Sequence, residues 1–289
     1  MNLTYREAYW DDSAPKAEFI RFLKSTFNLD LTLWDKAGFW DEKYRPFSFF
    51  NGPTLAANVC VYSMIMTVAG RDCRVAQISA VGTRPEYQRQ GLGRKLTERA
   101  LAWARDKHEF FYLFADKDAF PFYAKGGFRR CDEFKARIAV EGQRPLSAPQ
   151  KLDVGRADHL DRINRMAGER TPVSNELGVR NRRLFMFWCL YYLKDQLYYL
   201  PGLDLLIIYE RKGDLLVVSD IVGRDVPPFS DIYPYIAAES DRAVEFLFMP
   251  DRLSLKSIDW IKTTESGLHL LGDCPVEGRP FIFPLTSHA

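Results

Sequence analysis

The alternation of apolar and polar side chains over Leu3–Ala8 has the period of a short strand. Phe19, Phe22, Leu23 and Phe27 then recur at helical spacing and predict an amphipathic helix from about Pro15 to Leu29. The Trp-rich, Gly-punctuated stretch Leu31–Lys43 follows no single period. Phe47–Phe50, Leu55–Val68 and Arg74–Val81 read as three strands separated by turns at Asn51–Pro53 and Gly70–Asp72. The β-branched residues Ile65, Val75 and Ile78 favour strand over helix there. After Gly91 the period lengthens. Leu92, Leu96, Ala100 and Trp103 line one helix face, with Arg94, Lys95, Glu98, Arg99 and Arg105 elsewhere. An apolar strand at Phe110–Ala115, a short helix at Ala119–Lys125 stopped by Gly126–Gly127, and one or two strands within Phe128–Val140 complete this part.

Glu141–Gln150, with Gly142, Pro145, Ser147 and Pro149, reads as a linker between residues 1–141 and 150–289. Beyond it the opening grammar returns loosely. Lys151–Gly155 fits a strand, and Asp158–Ala167 a helix with Leu160, Ile163 and Ala167 inward. Arg180–Leu193 is apolar nearly all round, as a buried helix is. Leu203–Glu210 and Leu215–Val222 form a hairpin about Lys212–Gly213. Asp231–Ser240 fits a helix, and Ala243–Met249 and Pro280–Pro284 are strand-like. The pattern predicts an α+β fold, sheets flanked by helices, in two domains. A duplication would account for the repeated grammar, although no motif repeats literally.

Composition narrows the class. The 289 residues are 47% hydrophobic and 27% charged, in the range of globular domains, with a formal net charge of +2. That balance calls for no nucleic-acid or membrane partner. Five cysteines stand at Cys60, Cys73, Cys131, Cys189 and Cys274, with no Cys-x-x-Cys pair, which argues against a disulfide framework and a zinc knuckle. His159 and His269 lack metal-spaced partners, so no metal is expected. Met1–Asp12 has no apolar signal core, and Leu184–Leu193 and Leu203–Tyr209 fall short of the ~20 residues of a spanning helix. A cytoplasmic location is expected.

The chemistry concentrates in Val81-Gly82-Thr83-Arg84-Pro85-Glu86-Tyr87-Gln88-Arg89-Gln90-Gly91-Leu92-Gly93-Arg94, between a strand and a helix. Gly91 and Gly93 let a ligand approach the backbone closely, and a helix start presents free N–H groups and positive dipole. Together they make an anion site suited to a pyrophosphate, with Arg89 and Arg94 at its mouth. A dinucleotide fingerprint fails because Leu96 stands at the third glycine. A P-loop fails for lack of Gly-Lys-Ser/Thr. Gly-x-Gly alone is equally the mark of a structural turn.

Gln88, Gly91 and Gly93 resemble the Gln/Arg-x-x-Gly-x-Gly/Ala loop of the GNAT superfamily of N-acetyltransferases, and Thr83–Tyr87 resembles its lead-in. Phe122-Tyr123-Ala124-Lys125-Gly126-Gly127-Phe128 is similar to the family's Phe-Tyr-x-x-x-Gly-Phe motif, at the expected distance. The resemblance covers Gln77–Phe128 and implies the family fold over residues 1–141, with a degenerate GNAT-like domain after it. It implies that the backbone of Val81, Gly82 and Thr83 holds the pantetheine arm and polarises the thioester carbonyl. The N–H groups of Arg89, Gln90, Gly91, Leu92, Gly93 and Arg94, after Gln88, would cradle the pyrophosphate. Tyr123 would protonate the departing thiolate. Fixed backbone donors can stabilise an oxyanion, and a phenol held against sulfur can act as general acid. The implied co-substrate is acetyl-CoA or another acyl-CoA, and the implied partner a small-molecule or peptide amine.

Attack by an amine needs a base, because an alkyl amine is protonated at neutral pH. Many relatives in the superfamily place a Glu on the fourth strand, whereas Ala76–Ala80 offers no carboxylate; Gln77 and Ser79 could at most orient a water. Glu86 reads as a solvated loop residue, and Asp118 as the N-cap of the Tyr123 helix. Some two-part relatives use the carboxylate of the last residue; Ala289, beside His288, stands in that place, but neither enters the expected site. Ile221–Pro228 occupies the place of a second phosphate loop and lacks Gly-x-Gly, while its two prolines remove donors. Arg180, Arg182 and Arg183 read as a solvated helix start. The expected activity is transfer of an acetyl or short acyl group from CoA to a primary amine. The rival readings are a non-catalytic acyl-CoA sensor and, further off, an aminoacyl transferase. Acceptor, acyl length and self-association stay open.

Overall fold

The computed structural model describes residues 2–264 and 266–289. Strand β1 (Thr4–Glu7) leads into helix α1 (Ser13–Phe27), whose start is capped by Asp12, accepting from the Ala14 N–H at 3.3 Å. The helix ends on Asn28 at φ 55°, a left-handed cap that Asn tolerates. Within the Trp-rich stretch lies the short helix α2 (Thr32–Lys36). Its aperiodic pattern reflects an aromatic cluster, with the Trp10 and Trp40 rings 4.8 Å apart edge to face and Trp34 and Trp40 5.3 Å apart. Strands β2 (Tyr44–Asn51), β3 (Thr54–Val68) and β4 (Arg71–Thr83) form the predicted meander. Helix α3 (Leu92–Ala104), strand β5 (Phe110–Phe114), helix α4 (Phe120–Lys125) and strands β6 (Arg129–Arg130) and β7 (Phe134–Ala139) follow.

Residues 140–149 carry no helix or strand. The second part comprises β8 (Gln150–Lys151), α5 (Ala157–Glu169), β9 (Leu177–Val179), α6 (Arg182–Tyr191), β10 (Leu197–Leu200), β11 (Leu205–Lys212), β12 (Leu215–Val222), α7 (Phe229–Ile236), β13 (Ala243–Phe246), β14 (Asp259–Lys262) and β15 (Leu268–Gly272). The hairpin about Lys212–Gly213 lies where the alternation places it, with Gly213 at φ 68° in the turn. Pro280–Pro284, strand-like in sequence, is no strand. The Phe283 N–H donates to the Glu133 carboxylate at 2.9 Å, and the Phe281 carbonyl accepts from the Phe134 N–H. Its backbone groups thus go to irregular partners and not to a ladder. β14 and β15 were not anticipated from the sequence.

Two sheets result. One runs β1-β2-β3-β4-β5-β15-β6, with β9 on β3; the other runs β14-β7-β13-β12-β11-β10-β8. The arrangement is the same in both. A meander ends in a strand (β4, β12) paired parallel to the next (β5, β13), and one more antiparallel strand fills the gap to the last (β6, β14). That gap-filling strand comes from the other half each time: β15 lies between β5 and β6, and β7 between β13 and β14. The two halves therefore exchange a strand, and the hydrogen-bond ladders cross the chain's own linker. The fold is mixed α+β, two sheets flanked by helices.

Candidate active site

Strands β4 and β5 pair only at Val75–Phe110, Ala76–Phe111 and Gln77–Tyr112. β4 then runs on to Thr83 without β5, so the sheet opens into a V beyond Gln77. Near the open end β4 is bulged. Cys60 lies opposite Ser79 and Asn58 opposite Gly82, leaving Ala80 and Val81 against Val59 alone. Ala80 sits at φ 47°, a costly backbone for a residue with a Cβ. A buried chain of hydrogen bonds holds it there. The Asn58 Nδ2 donates to the Ala80 carbonyl at 3.0 Å, Asn58 Oδ1 accepts from Ser48 Oγ at 2.7 Å, and Ser48 Oγ lies 2.7 Å from the Tyr9 hydroxyl. The bulge is immediately followed by Gly82 and Thr83, the segment singled out in the sequence.

Past Thr83 the chain makes a short turn at Pro85–Tyr87 and enters the loop. Gln88 Nε2 donates to the Thr83 carbonyl at 3.2 Å, closing the turn. Arg89 at φ 61° and Gly91 at φ 71° both take left-handed backbone, and Gly91 is the N-cap of α3 with no side chain capping it. The first bond of the helix is from the Lys95 N–H to the Gly91 carbonyl, so the N–H groups of Leu92, Gly93 and Arg94 have no helical partner. A Cβ on Gly93 would come no nearer than 3.7 Å to Thr83 Oγ1, so that side of the backbone is open. Gln88, Arg89, Gln90 and Arg94 are exposed around it, and Glu86 is a solvated loop residue as read from the sequence.

A groove of about 650 Å³ lies between α3 and α4. Arg94 of α3 and Arg105 just past its end edge it on one side, and Tyr123 and Lys125 of α4 on the other. Tyr123 is 8% exposed and packs edge-on against Phe122 and Phe128. Burial, aided by the nearby Asp116 carboxylate, pushes its phenol up to about 12, so it keeps its proton at neutral pH. Asp118 does not cap this helix. It lies inside the turn Lys117–Ala119, and Ala119 at the N-cap makes no side-chain bond. Pro121 in the first helical turn needs no donor partner, which lowers the demand for a cap.

The V between β4 and β5 is filled by the last residues. Ala289 pairs with Gln77 twice: its N–H donates to Gln77 Oε1 at 2.8 Å, and Gln77 Nε2 donates to its carbonyl oxygen at 3.0 Å. The Tyr112 hydroxyl donates to the Ser287 carbonyl at 2.8 Å, and Trp188 Nε1 to the His288 carbonyl at 2.8 Å. His288 stacks on Phe114 at 3.7 Å, and burial drives its imidazole down to about 3. Ala289 also edges an apolar cleft whose walls come from both halves, Trp34, Tyr44 and Tyr62 on one side and Leu184 and Phe187 of α6 on the other.

The sequence names the loop, Tyr123, Gln77, His288 and Ala289, but not Asn58, Tyr112 or Trp188, which hold the bulge and residues 287–288. Asn58, a polar residue inside the otherwise apolar run Leu55–Val61, was the available signal. His159 accepts from the Asp153 N–H at 3.0 Å, a structural bond, and His269 is buried against Phe120. Arg180, paired with Asp72 at the surface, and Arg182 are exposed as a solvated helix start is, whereas the half-buried Arg183 donates to the Trp40 carbonyl. Among the described residues no group of three His, Cys, Asp or Glu is placed to hold a metal, and no helix is long and apolar enough to cross a membrane. All five cysteines are free and buried.

Residues 15–131 match the family model described as an acetyltransferase (GNAT) domain. No curated protein matches the chain in sequence. Among solved structures, a conserved protein of unknown function from Enterococcus faecalis V583, named a probable N-acyltransferase, is 12% identical with a TM-score of 0.60, covering 96% of this chain and 74% of that one. A GCN5-related N-acetyltransferase from Kribbella flavida is 16% identical with a TM-score of 0.54, covering 93% and 70%. Eis1 from Mycobacterium abscessus is 14% identical with a TM-score of 0.55, covering 92% and 73%. At such identities these likenesses concern the fold, and they extend over both halves. The family model spans the splayed strands, the loop and the Tyr123 helix, so residues 15–131 of this chain are similar to an acetyltransferase (GNAT) domain.

Proposed function

We propose that the protein is an N-acyltransferase that moves an acetyl or short acyl group from CoA to a primary amine of a small molecule or peptide. The observation that carries this reading is the opening of β4 away from β5 beyond Gln77, which leads straight into the unpartnered N–H groups of Leu92, Gly93 and Arg94 at the start of α3. In this reading the N–H groups from Arg89 to Arg94 take the pyrophosphate of acetyl-CoA, and the bulged backbone at Val81, Gly82 and Thr83 takes the pantetheine arm and the thioester carbonyl. The amine attacks that carbonyl, the developing oxyanion is held by backbone donors, and the carbon–sulfur bond breaks as Tyr123 gives its proton to sulfur. The phenol's high pKa keeps it protonated until the thiolate forms.

The amine proton needs an acceptor. Ala76–Ala80 carries no carboxylate, and Gln77 and Ser79 at most orient a water that takes it. Residues 1–141 carry the CoA site, and residues 150–289 contribute α6 to the small apolar cleft beside Ala289. The proposed steps call for no metal, and the five free cysteines suit a reducing cytoplasm. The absence of a carboxylate from Ala76–Ala80 favours a second reading, an acyl-CoA sensor without turnover. Free-thiol release with acetyl-CoA and an amine panel, alongside calorimetry with CoA, separates the two. Heat without thiol release leaves the sensor, and no heat at high ligand concentration overturns both.

A further inference from the structure

The second half keeps the strand splay of the fold but not the phosphate loop. β12 pairs with β13 from Leu215–Ala243 to Val218–Phe246 and then runs on to Val222 with β11 but without β13, as β4 runs beyond β5. The turn that follows enters α7 through Pro227 and Pro228, neither of which has an N–H to offer an anion. In place of a ligand, the opening beside β12 holds protein. Asp220, 1% exposed, receives Arg170 in a bidentate pair, Nη2 to Oδ1 at 2.6 Å and Nη1 to Oδ2 at 2.9 Å. Arg170 Nη2 also reaches the Ile221 carbonyl at 3.1 Å, and the guanidinium lies over the Phe185 ring. The second donor to Asp220 Oδ2 is the hydroxyl of Thr286, at 2.7 Å.

Thr286 is 1% exposed and three residues before Ala289. The segment between is fixed at each step. Leu285 N–H donates to the Leu247 carbonyl next to β13, Ser287 N–H to the Pro284 carbonyl, and His288 N–H to the Leu285 carbonyl. The same few residues are therefore bonded at one end to the splay of the second sheet and at the other to Gln77 and Tyr112 in the splay of the first.

We propose that the second half's splay has become a clamp: the buried Arg170–Asp220 pair grips Thr286 and thereby sets the position of residues 287–289 in the V of the first half. Thr286 and Asp220 are positioning residues for the acyl-transfer site, acting through the backbone of Ala289. This role rests on the acyltransferase reading for its effect on turnover, but not for the geometry of the clamp. It also gives the second half a reason to retain a splay without a cofactor loop. A charged acceptor inside protein holds a hydroxyl more strongly than a neutral one does, and it fixes the direction of approach.

The test compares Thr286→Val, which keeps the shape and loses the donor, with Thr286→Ser, which restores it. Two readouts are taken on the full chain. Hydrogen exchange is followed at the Ser287, His288 and Ala289 amides, and thiol release is measured with acetyl-CoA and an amine, together with the CoA Kd and the melting curve. In Thr286→Val these amides exchange at least tenfold faster, kcat falls at least tenfold, and the CoA Kd stays within twofold; Thr286→Ser returns exchange and kcat to within threefold of wild type. Unchanged exchange in a cooperatively folded Thr286→Val overturns the clamp, whatever the enzyme's activity. Faster exchange with unchanged kcat overturns the positioning role. A wild-type chain that never releases thiol, with exchange behaving as stated, overturns the acyltransferase reading and leaves the clamp standing.

Discussion

Tyr123 edges the groove between α3 and α4 and His288 packs on Phe114, and burial shifts both pKa values by disfavouring the charged form. For Tyr123, at about 12, the protonated acid persists well beyond the pH range of most assays. Loss of that acid therefore produces no falling limb in kcat/KM between pH 7 and 10. Tyr123→Phe lowers kcat by about 10²-fold or more, the usual worth of a positioned general acid. A limb near pH 9 that vanishes in Tyr123→Phe, or a Phe variant with wild-type turnover, contradicts the assignment. For His288, at about 3 against an ordinary 6.5, the effect is on stability. Above pH 6.5 the imidazole is neutral whether the chain is folded or not. As pH falls from 6.5 toward 3, the unfolded chain binds a proton that the folded one refuses, so stability is lost over that window. Two pH units below 6.5 the loss is about 2–3 kcal/mol. The difference in urea midpoint between pH 7 and 4.5 shrinks in His288→Phe, and an equal difference in both proteins contradicts the buried neutral imidazole.

At the scale of the element, the loop before α3 separates stability from ligand binding. Gly91, at φ 71°, is needed for its backbone, and Gly91→Ala costs about 1 kcal/mol. Gly93 lies within the helix with an open face, so Gly93→Ala is neutral or stabilises by up to about 1 kcal/mol. The added methyl stands on the side where the pyrophosphate would approach, and the CoA Kd rises at least tenfold. Melting curves and calorimetry on the two variants give opposite orders; Gly93→Ala with wild-type CoA affinity rules out a cradle at that position. The bulge behaves differently, because Asn58 is fully buried and its amide serves Ala80, Ser48 and Cys60 together. Asn58→Ala strands the Ala80 carbonyl, a cost of about 1–3 kcal/mol readable as a lower urea midpoint, while the Ser48 hydroxyl keeps Tyr9 as its partner. These features differ in how much of them shows in the sequence. The loop and the Tyr123 helix are local, each a continuous motif whose period and glycines are visible in a dozen residues. β14 and β15 are four and five residues long with no clean alternation, and they exist because a cross-half partner supplies their ladders. Phe281–Phe283 shows the converse, an apolar run that lacks a ladder because a carboxylate takes its N–H.

The exchange of β7 and β15 decides what can be cut from the molecule. The linker at residues 141–150 divides the sequence, and a chain ending there is a natural choice for isolating the CoA site. Such a fragment lacks β15, which covers the whole of β5 from Phe110 to Phe114 and joins it to β6. It also retains β7, whose two ladder partners, β13 and β14, stay with the other fragment. Phe111 and Leu113 of β5 are buried, and Ala136 of β7 is fully buried, so both strands would present open edges bearing apolar side chains. Residues 1–141 alone therefore show no cooperative melt and self-associate. The same geometry predicts recovery when the two pieces are made together. Fragments 1–141 and 142–289 co-purify as a one-to-one complex, because each closes the other's sheet with a strand that belongs to no other site. Native mass spectrometry and the melting curve of the pair are the measurements. A monomeric 1–141 fragment that melts cooperatively and binds CoA as the full chain does would show that β15 is dispensable, and that the exchange ties the halves together without completing either.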